Sequence, residues 1–188
     1  MRKRILIGGS SLAGKSSLAA QLGSELGWKT VATDYLARHP GRPWRDDGTQ
    51  VPSHVVEHFV SLSPEELLED VLRHYRSLAP RIREIAEEDA QSDGSGIVIE
   101  GSAVLPELAF ELRSAAYSCF LVAKPDVLFS RVMRHAGAEK EAAQKFAARA
   151  ELMNGFIAAE AKRLELPTFD ADVVSASSIL SSEGWLSG

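Results

Sequence analysis

A chain of 188 residues with 45% hydrophobic content is long enough for one compact domain with a full core. Its formal net charge of -5 argues against a surface for nucleic acid, and a single cysteine excludes an intrachain disulfide framework. The basic start MRKR precedes too few apolar residues for a signal peptide, and no later run is long enough to span a bilayer. We therefore expect a cytoplasmic location without a membrane partner.

Short apolar segments alternate along the chain with longer helical patterns. This alternation predicts an α/β fold in three layers, with a parallel sheet between helices. The predicted strands are Arg4 to Ile7, Lys29 to Thr33, Ile97 to Ile99, Tyr117 to Val122 and Thr168 to Asp170. The predicted helices are Lys15 to Leu26, one capped by Ser63 that runs to Leu78, one that begins near Pro125, and one from about Glu139 to Leu164. We expect Pro80 to break or bend the second of these helices.

The segment RILIGGSSLAGKSSLAAQLG, residues 4–23, passes from an apolar run through glycines and serines into a helical pattern. It contains the motif G-x-x-x-x-G-K-[ST] between a strand and a helix, which is the context that this motif requires. Such a loop turns backbone N–H groups inward at a helix N-terminus, so it suits a polyphosphate. We expect Lys15 to contact the β- and γ-phosphates and Ser16 to bind Mg²⁺. The predicted nucleotide-binding residues are Gly9, Ser10, Ser11, Leu12, Ala13, Gly14, Lys15, Ser16 and Ser17.

Carboxylates stand at the ends of the second and third predicted strands. Because parallel strands end at the same edge of a sheet, Asp34 and Glu100 should lie on the side where the phosphate loop opens. Asp34 could accept a proton from a substrate hydroxyl, or it could cap the following turn. Glu100 stands where a Walker B strand usually has aspartate, so we expect it to contact substrate or the water around Mg²⁺. The alternative is a solvated strand end.

Residues 34–52 form a long irregular stretch in which Arg38, Arg42 and Arg45 cluster around Trp44. Arginines beside an aromatic ring could bind an anionic, planar or sugar-bearing substrate, and the alternative is a surface loop whose Trp44 packs locally. We assign residues 38–92 to a helical insertion on the substrate side. The tract QSDGSG, residues 91–96, resembles a linker into the third strand.

The helical pattern that begins near Pro125 carries Arg131 and Arg134 on one face, and Lys140, Lys145 and Arg149 follow a break at HAGA. Arginines that close over a transferred phosphoryl group would stabilise its charge and exclude water. We therefore predict a lid over residues 131–150, with Arg131 and Arg134 as catalytic residues. For Lys140 and Lys145 a solvated helix surface is the better interpretation.

Two short motifs are formally similar to elements of other protein classes. HVVEH, from His54 to His58, matches a zinc motif, but no third ligand accompanies it, so we prefer histidines on a helix surface or in a substrate pocket. AKPD, residues 123–126, is similar to a guanine-reading element but lacks its asparagine, and Pro125 is better explained as a helix start.

Together these features resemble the small P-loop kinases that phosphorylate metabolites or antibiotics, such as shikimate kinase, gluconate kinase, chloramphenicol phosphotransferase and 2-phosphoglycerate kinase-like proteins. The resemblance covers nearly the whole chain and implies a three-layer P-loop NTPase fold. It also implies that Asp34 is a general base or substrate ligand, that FSRVMRH enters the lid, and that FDADVVSASS, residues 169–178, is the last strand and the loop beside the nucleotide base.

The sequence also departs from members of that group. Shikimate kinases carry D-x-D after the second strand, where this chain has Asp34-Tyr35-Leu36, so shikimate is not the expected acceptor. Nucleoside kinases often carry an aspartate-arginine pair after the third strand, where this chain has Glu100-Gly101-Ser102. The acceptor therefore stays open at this point.

We predict a Mg²⁺-dependent kinase that transfers the γ-phosphoryl group of ATP, or of GTP, to a hydroxyl of a metabolite or of an antibiotic. Asp34, Lys15, Arg131 and Arg134 are its predicted catalytic residues, and Arg42, Trp44, Arg45 and Glu100 join Asp34 on the substrate side. The partners are a nucleotide and a small hydroxyl compound, and a homodimer is compatible with the sequence. The alternatives are an ATPase or GTPase switch that acts on a protein partner, and a nucleotide-binding module without catalysis.

Overall fold

The computed structural model describes residues 3–36, 40–45, 47, 49–88, 96–137 and 139–182. Within these ranges it contains five strands, seven α-helices and one short 3₁₀ turn. The strands are β1 (Arg4–Gly9), β2 (Lys29–Ala32), β3 (Ile97–Glu100), β4 (Tyr117–Val122) and β5 (Thr168–Asp170). The helices are α1 (Lys15–Leu26), α2 (Ser53–Ser61), α3 (Pro64–Glu88), α4 (Pro106–Glu111), α5 (Pro125–Met133), α6 (Lys140–Arg163) and α7 (Ala176–Ser182). The 3₁₀ turn, Thr33–Tyr35, follows β2.

The five strands form one parallel sheet in the order β2-β3-β1-β4-β5. From β1 the chain runs to β2 at one edge and returns to β3, and it then crosses to β4 on the other side of β1. The strand order therefore reverses at β1. In an open parallel sheet the ligand crevice lies at the carboxyl ends of the strands, where this reversal occurs. The fold thus places the loop after β1 and the end of β3 side by side in the crevice.

The central strand, β1, is buried on both faces, and for this reason its sequence is a continuous apolar run. Ile5 and Ile7 pack with α1 and α7, whereas Leu6 packs on the opposite face with α3, α4 and α6. Successive side chains of a strand point to opposite faces, so one short apolar segment contributes to both layers of the core. The predicted three-layer α/β architecture is confirmed.

A third apolar cluster lies beside the sheet and joins the predicted insertion to the predicted lid. It includes Trp44 from the loop after the 3₁₀ turn, Phe59 from α2, Val132 from α5 and Phe146 from α6. These side chains are at most 4% exposed. Segments that are far apart in the sequence therefore pack against one another, and Trp44 and Phe146 of this cluster also line the crevice.

Several predicted elements match the structure closely. The bounds of α1, β4 and β5 are those predicted, and α6 begins one residue after Glu139 and ends one residue before Leu164. The predicted cap of α3 is present as a reciprocal pair, in which the backbone N–H of Ser63 donates to the Glu66 carboxylate at 2.8 Å and the Glu66 N–H donates to Ser63 Oγ at 3.2 Å. Patterns of residues close together in the sequence were sufficient to predict these elements.

Of the two outcomes expected at Pro80, a break or a bend of helix α3, the break does not occur. Helix α3 continues through this proline to Glu88. A proline inside a helix removes one hydrogen bond and costs roughly 3 kcal/mol. Beyond it, Ile82 and Ala86 are buried against the sheet, so tertiary packing offsets that cost. Helix α4 was not predicted, and α7 begins at Ala176, inside the segment predicted as a strand and loop.

Two sequence-based assignments fall outside the described residues, namely Arg38 of the arginine cluster and residues 91–95 of the linker-like tract. Within the part of the chain that the structure does describe, no helix has both the length and the apolar character needed to cross a membrane.

Candidate active site

The phosphate loop connects β1 to α1 and has an unusual backbone. Gly9 and Gly14 adopt φ angles of +148° and +88°, and Leu12 adopts +63°, a left-handed conformation that costs a non-glycine residue about 1–2 kcal/mol. At Gly9 a Cβ atom would lie 2.8 Å from the carbonyl oxygen of Leu121, so only glycine fits there without a shift. Strain of this kind collects at functional sites, where the surrounding structure holds it.

Lys15 is the first residue of α1, and its side chain folds over the loop. Its Nζ donates a hydrogen bond to the carbonyl oxygen of Ser10 at 2.7 Å, and the residue is 8% exposed. Burial lowers the pKa of Lys15, while the charges of Glu100 and Asp34 oppose that change. The ammonium group is therefore held at the loop, with carboxylates from two neighbouring strand ends close enough to act on it.

Ser16 and Glu100 meet across the crevice. The hydroxyl of Ser16 donates a hydrogen bond to Oε1 of Glu100 at 2.9 Å, and Glu100 is 6% exposed, so it is not a solvated strand end. Burial raises the pKa of Glu100, against the lowering effects of the Ser16 hydrogen bond and the Lys15 charge. The pair thus combines a hydroxyl and a buried carboxylate beside the phosphate loop.

This pair suits Mg²⁺, which prefers oxygen ligands and keeps several of its waters. No group of three or more histidine, cysteine, aspartate or glutamate residues that could hold a metal occurs among the described residues. A magnesium ion held by Ser16 and Glu100 would therefore complete its shell with water and with the oxygens of bound phosphates, as is usual in nucleotide sites.

Asp34 lies in the 3₁₀ turn that follows β2, and its side chain lines the crevice. Among the described residues, no group donates a hydrogen bond to its carboxylate, so the interpretation as a turn cap is not supported. The preceding residue, Thr33, is buried against the backbone of Gly101, where an added Cβ would lie 1.7 Å from Thr33 Oγ1. This close approach of the ends of β2 and β3 holds the turn that carries Asp34.

The two arginines of the predicted lid entry occupy different environments. Arg131 donates from Nη1 to the carbonyl oxygen of Leu12 at 2.9 Å and from Nη2 to Oδ1 of Asp172 at 2.7 Å. It therefore links the phosphate loop to the segment after β5. Arg134 is exposed and stands outside the lining of the crevice, because α5 ends at Met133 and Arg134 already belongs to the following turn.

The crevice opens into a cleft with a volume of about 770 Å³. All five residues assigned to the substrate side line it, namely Asp34, Arg42, Trp44, Arg45 and Glu100. Trp44 is 4% exposed and packs edge-on against Phe146 of α6, with ring centres 4.8 Å apart. It therefore forms part of the wall of the cleft and does not pack only within its own loop. The guanidinium of Arg42 lies 5.9 Å from the centre of its ring.

Six residues that the sequence did not assign to the site also line this cleft, namely Gly41, Asp47, Tyr75, Ser102, Phe146 and Arg149. Arg149 was noted in the sequence but was not assigned to the site. One signal could have identified it, because it stands on the apolar stripe of α6 between Phe146 and Met153. A charged residue at a position that the helical period assigns to the core is unusual, because buried charges are costly without a partner.

The parallel sheet, its strand order and the phosphate loop together define a P-loop nucleotide-binding fold. Among solved structures, the chain is similar to small-molecule kinases of this fold. A deoxyadenosine kinase from M. mycoides with bound dATP has 13% identity and a TM-score of 0.53, with 100% of each chain covered. A sugar kinase from Janibacter sp. HTCC2649 has 18% identity and a TM-score of 0.52, with 100% of this chain and 95% of that chain covered.

A shikimate kinase from Bacteroides thetaiotaomicron has 20% identity and a TM-score of 0.50, with 92% of this chain and 88% of that chain covered. In sequence, no protein-family model and no curated protein matches the chain. At such identities the similarity establishes the fold of the small-molecule P-loop kinases, and the substrate has to be argued from the cleft itself.

Proposed function

We propose that the protein is a kinase that transfers the γ-phosphoryl group of ATP or GTP to a hydroxyl group of a small molecule. The observation that carries this proposal is the meeting in one cleft of the phosphate loop, the Ser16–Glu100 pair and the Asp34 carboxylate. Phosphoryl transfer needs little covalent chemistry from the protein, so positioning and charge stabilisation account for most of the catalysis. Each of these three features supplies one of those contributions.

In this mechanism the loop N–H groups and Lys15 bind the β- and γ-phosphates. Mg²⁺ held at Ser16, with Glu100 orienting its water shell, would neutralise charge on the phosphate oxygens. Asp34 accepts the proton of the acceptor hydroxyl as the oxygen attacks the γ-phosphorus, which is the role of a general base. Arg131, which already contacts the loop at Leu12, stabilises the charge of the transferred group. Arg134 would need a movement of the α5–α6 connection to reach that group.

The shape of the cleft favours a kinase over a nucleotide-hydrolysing switch. A switch needs only an ordered water at the γ-phosphate, whereas the lining of this cleft also includes Tyr75 on α3 and Arg149 on α6. Space and polar groups beyond the general base are what a second substrate requires. The acceptor could be a metabolite or an antibiotic, and both classes belong in the test.

The test is a mass-spectrometric screen of the purified protein with Mg²⁺, ATP or GTP, and pooled metabolites and hydroxyl-bearing antibiotics. We expect one compound or one class to gain a phosphoryl group. Asp34→Asn should lower turnover by about 100- to 10,000-fold, the usual contribution of a general base, with nucleotide affinity retained. Asp126→Asn, which changes an exposed aspartate at the start of α5, is the matched control and should keep full turnover. Steady nucleotide hydrolysis with no modified compound would favour the switch instead.

A further inference from the structure

Asn154 is a buried polar residue in the middle of α6, outside the lining of the cleft. It is 7% exposed, and its neighbours on the helix, Met153 and Ile157, belong to the core cluster on one face of the sheet. Its side-chain amide bonds twice to the backbone of Ala123, since Nδ2 donates to the carbonyl oxygen at 2.9 Å and Oδ1 accepts from the N–H at 3.1 Å. Burying an amide costs free energy unless such bonds form. The same two bonds therefore satisfy the amide and attach α6 to a single residue of another segment.

Ala123 joins the sheet to α5. On one side of it, the carbonyl oxygen of Val122 accepts a hydrogen bond from the backbone after β5 at 3.0 Å. On the other side, the carbonyl oxygen of Lys124 accepts the first hydrogen bond of α5, from the N–H of Leu128 at 3.0 Å. Ala123 is 3% exposed, so its N–H and C=O groups are shielded from water, and Asn154 bonds both. Asn154 thus holds the residue at which the chain turns from the sheet into the helix.

Arg131 lies near the far end of α5, where it contacts the phosphate loop. Its guanidinium donates to the carbonyl oxygen of Leu12 at 2.9 Å and to the carboxylate of Asp172 at 2.7 Å. Arg131 stands six residues beyond Pro125, the first residue of α5, so it lies roughly 9 Å further along the helix axis. Over that length, a tilt of about 6° at the junction would move Arg131 by about 1 Å. A shift of about 1 Å in a catalytic group can lower the rate by about 100-fold.

Apolar packing by itself does not fix the direction of α5 to that precision. Leu128 and Val132 of α5 are fully buried, but apolar contacts have little directional preference. Hydrogen bonds have narrow ranges of distance and angle, and a pair of them on one residue also resists rotation about that residue. The amide of Asn154 is the group that supplies this pair at Ala123.

We propose that Asn154 is a positioning residue for phosphoryl transfer. Its amide fixes the direction in which α5 leaves the sheet, and this direction keeps the guanidinium of Arg131 at the phosphate loop. The inference rests on the proposed function through the role of Arg131, which stabilises the charge of the transferred group. Asn154 itself does not line the cleft, so it acts on the reaction through α5 and not by touching either substrate.

A double-mutant cycle between Asn154 and Arg131 tests this connection. Turnover is counted as ADP formed from ATP, with no added acceptor and with any compound that the mass-spectrometric screen identifies. Arg131→Met should lower kcat by about 100-fold, because it removes the charge that stabilises the transition state. Asn154→Leu, which removes both hydrogen bonds and adds no charge, should lower kcat by about 10- to 100-fold while the KM for ATP changes by no more than about 3-fold. In the Asn154→Leu background, Arg131→Met should lower kcat by less than about 10-fold, since Arg131 has already lost its position.

Lys145→Met is the matched control in the same helix. Lys145 Nζ donates to the carbonyl oxygen of Leu62 at 3.0 Å, so this substitution also removes a hydrogen bond from α6 to a distant backbone group, but to one in the connection between α2 and α3. In this background Arg131→Met should lower kcat by the full factor of about 100. That result would show that the coupling belongs to the bonds at Ala123 and not to any polar contact of α6.

Asn154→Asp tests the donor of the amide separately. The new carboxyl group keeps the shape of the side chain, but when it is ionised it cannot donate to the carbonyl oxygen of Ala123. Burial raises the pKa of a carboxyl group, and a protonated carboxyl donates through its O–H as the amide does through Nδ2. The deficit in kcat relative to the wild type should therefore shrink as pH falls from about 8 to about 6. The same cycle with Arg131→Met applies to this variant if Asn154→Leu does not fold.

Stability does not separate a positioning role from a merely structural one, because both predict that Asn154→Leu unfolds at a lower urea concentration than the wild type. The cycle does separate them. An equal loss of kcat on Arg131→Met in the wild type and in Asn154→Leu would overturn the inference, and so would full turnover in Asn154→Leu. ADP formed without any modified compound would contradict the kinase function alone, since the cycle is measured equally well from nucleotide hydrolysis.

Discussion

The two ends of the cleft are built in different ways. The phosphate-loop end comes from one continuous segment, Gly9 to Ser17, in which backbone conformation and the start of a helix determine the site. The other end, which we propose binds the acceptor and call the acceptor end, is assembled from side chains of the loop after β2, of α3 and of α6, such as Trp44, Tyr75 and Arg149. A site made of backbone requires particular residues at fixed spacing, whereas a site made of side chains requires only that they meet in space.

This difference leads to an expectation about function. Changes at the phosphate-loop end should reduce turnover with every acceptor, because they affect the group that is transferred. Changes at the acceptor end should alter KM and acceptor preference while nucleotide binding stays the same. Four experiments test this difference between the two ends.

The largest effect should come from Lys15→Ala. We expect the ammonium group to bind the γ-phosphate more strongly in the transition state than in the ground state. Its loss should therefore lower turnover by about 1,000-fold with every acceptor. Steady-state kinetics with ATP measures this change, and Lys162→Ala, at an exposed position near the end of α6, serves as the control. Turnover that fell with one acceptor but not with another would contradict the expectation that this end affects all acceptors alike.

The next largest effect concerns Gly101, which follows Glu100 at the end of β3 and packs against Thr33. Gly101→Ala would place a Cβ 1.7 Å from Thr33 Oγ1 at a φ of +149°, so we expect a loss of about 2–4 kcal/mol in the free energy of unfolding. Urea denaturation measures it. Gly155→Ala is the control, because nothing lies within 4 Å of its added Cβ inside α6, and it should stabilise by about 0.5–1 kcal/mol.

Removal of the Thr33 hydroxyl provides a further check on that prediction. Thr33 Oγ1 is buried and has no hydrogen-bond partner among the described residues, so Thr33→Ala alone should change stability little. In the Gly101→Ala background the same change should recover part of the lost stability, because it removes the atom that the new Cβ meets. Additive effects of the two substitutions would contradict this account of the contact.

Asp172→Asn should have a smaller effect, which is confined to the KM for the nucleotide. Arg131 and Asp172 are each about one-third exposed, so their ion pair contributes less than about 1 kcal/mol to stability. Arg131 also contacts Leu12 in the phosphate loop, and a less ordered guanidinium should raise the KM for ATP by about 2- to 3-fold. Kinetics at varied ATP tests this, and a change in acceptor KM with ATP KM constant would assign Arg131 to the other end.

The smallest effect should be a change in the pH dependence of stability. Burial raises the pKa of Glu100 in the folded state above its ordinary value of 4.5. At pH values between the ordinary pKa and the raised pKa, the folded state therefore binds more protons than the unfolded state. Stability contributed at Glu100 therefore falls as pH rises through that interval, and Glu100→Gln should remove this fall. Urea denaturation across pH 4 to 8 would measure the difference.

The surface pair of Glu160 and Arg163 offers a control of opposite sign. The hydrogen bond from Arg163 lowers the pKa of Glu160, so its contribution to stability is present above the ordinary pKa and is lost as pH falls. Glu160→Gln should therefore reduce stability at neutral pH and have no effect at low pH. Equal pH profiles for Glu100→Gln and the wild type would show that burial of Glu100 does not control its protonation.

Features that depend on neighbouring residues could be read from the sequence. The apolar strands, the reciprocal cap of Ser63 and Glu66, and the phosphate loop each arise from interactions within a few positions. The position of Asp34 beside Glu100 also followed, because parallel strands share one carboxyl edge whatever their order. These expectations required no knowledge of how distant segments pack.

Other features were decided only when the segments packed together. Helix α3 passes through Pro80 because Ile82 and Ala86 are buried against the sheet, and Arg131 faces Asp172 although 41 positions separate them. Arg149 faces the cleft because α6 packs beside α3 and places it near Tyr75. The sequence by itself thus determined the fold class and the proposed phosphate site, whose requirements are local and concern the backbone. The tertiary structure decided the proposed acceptor site, because side chains from distant segments form it and no local spacing records their meeting.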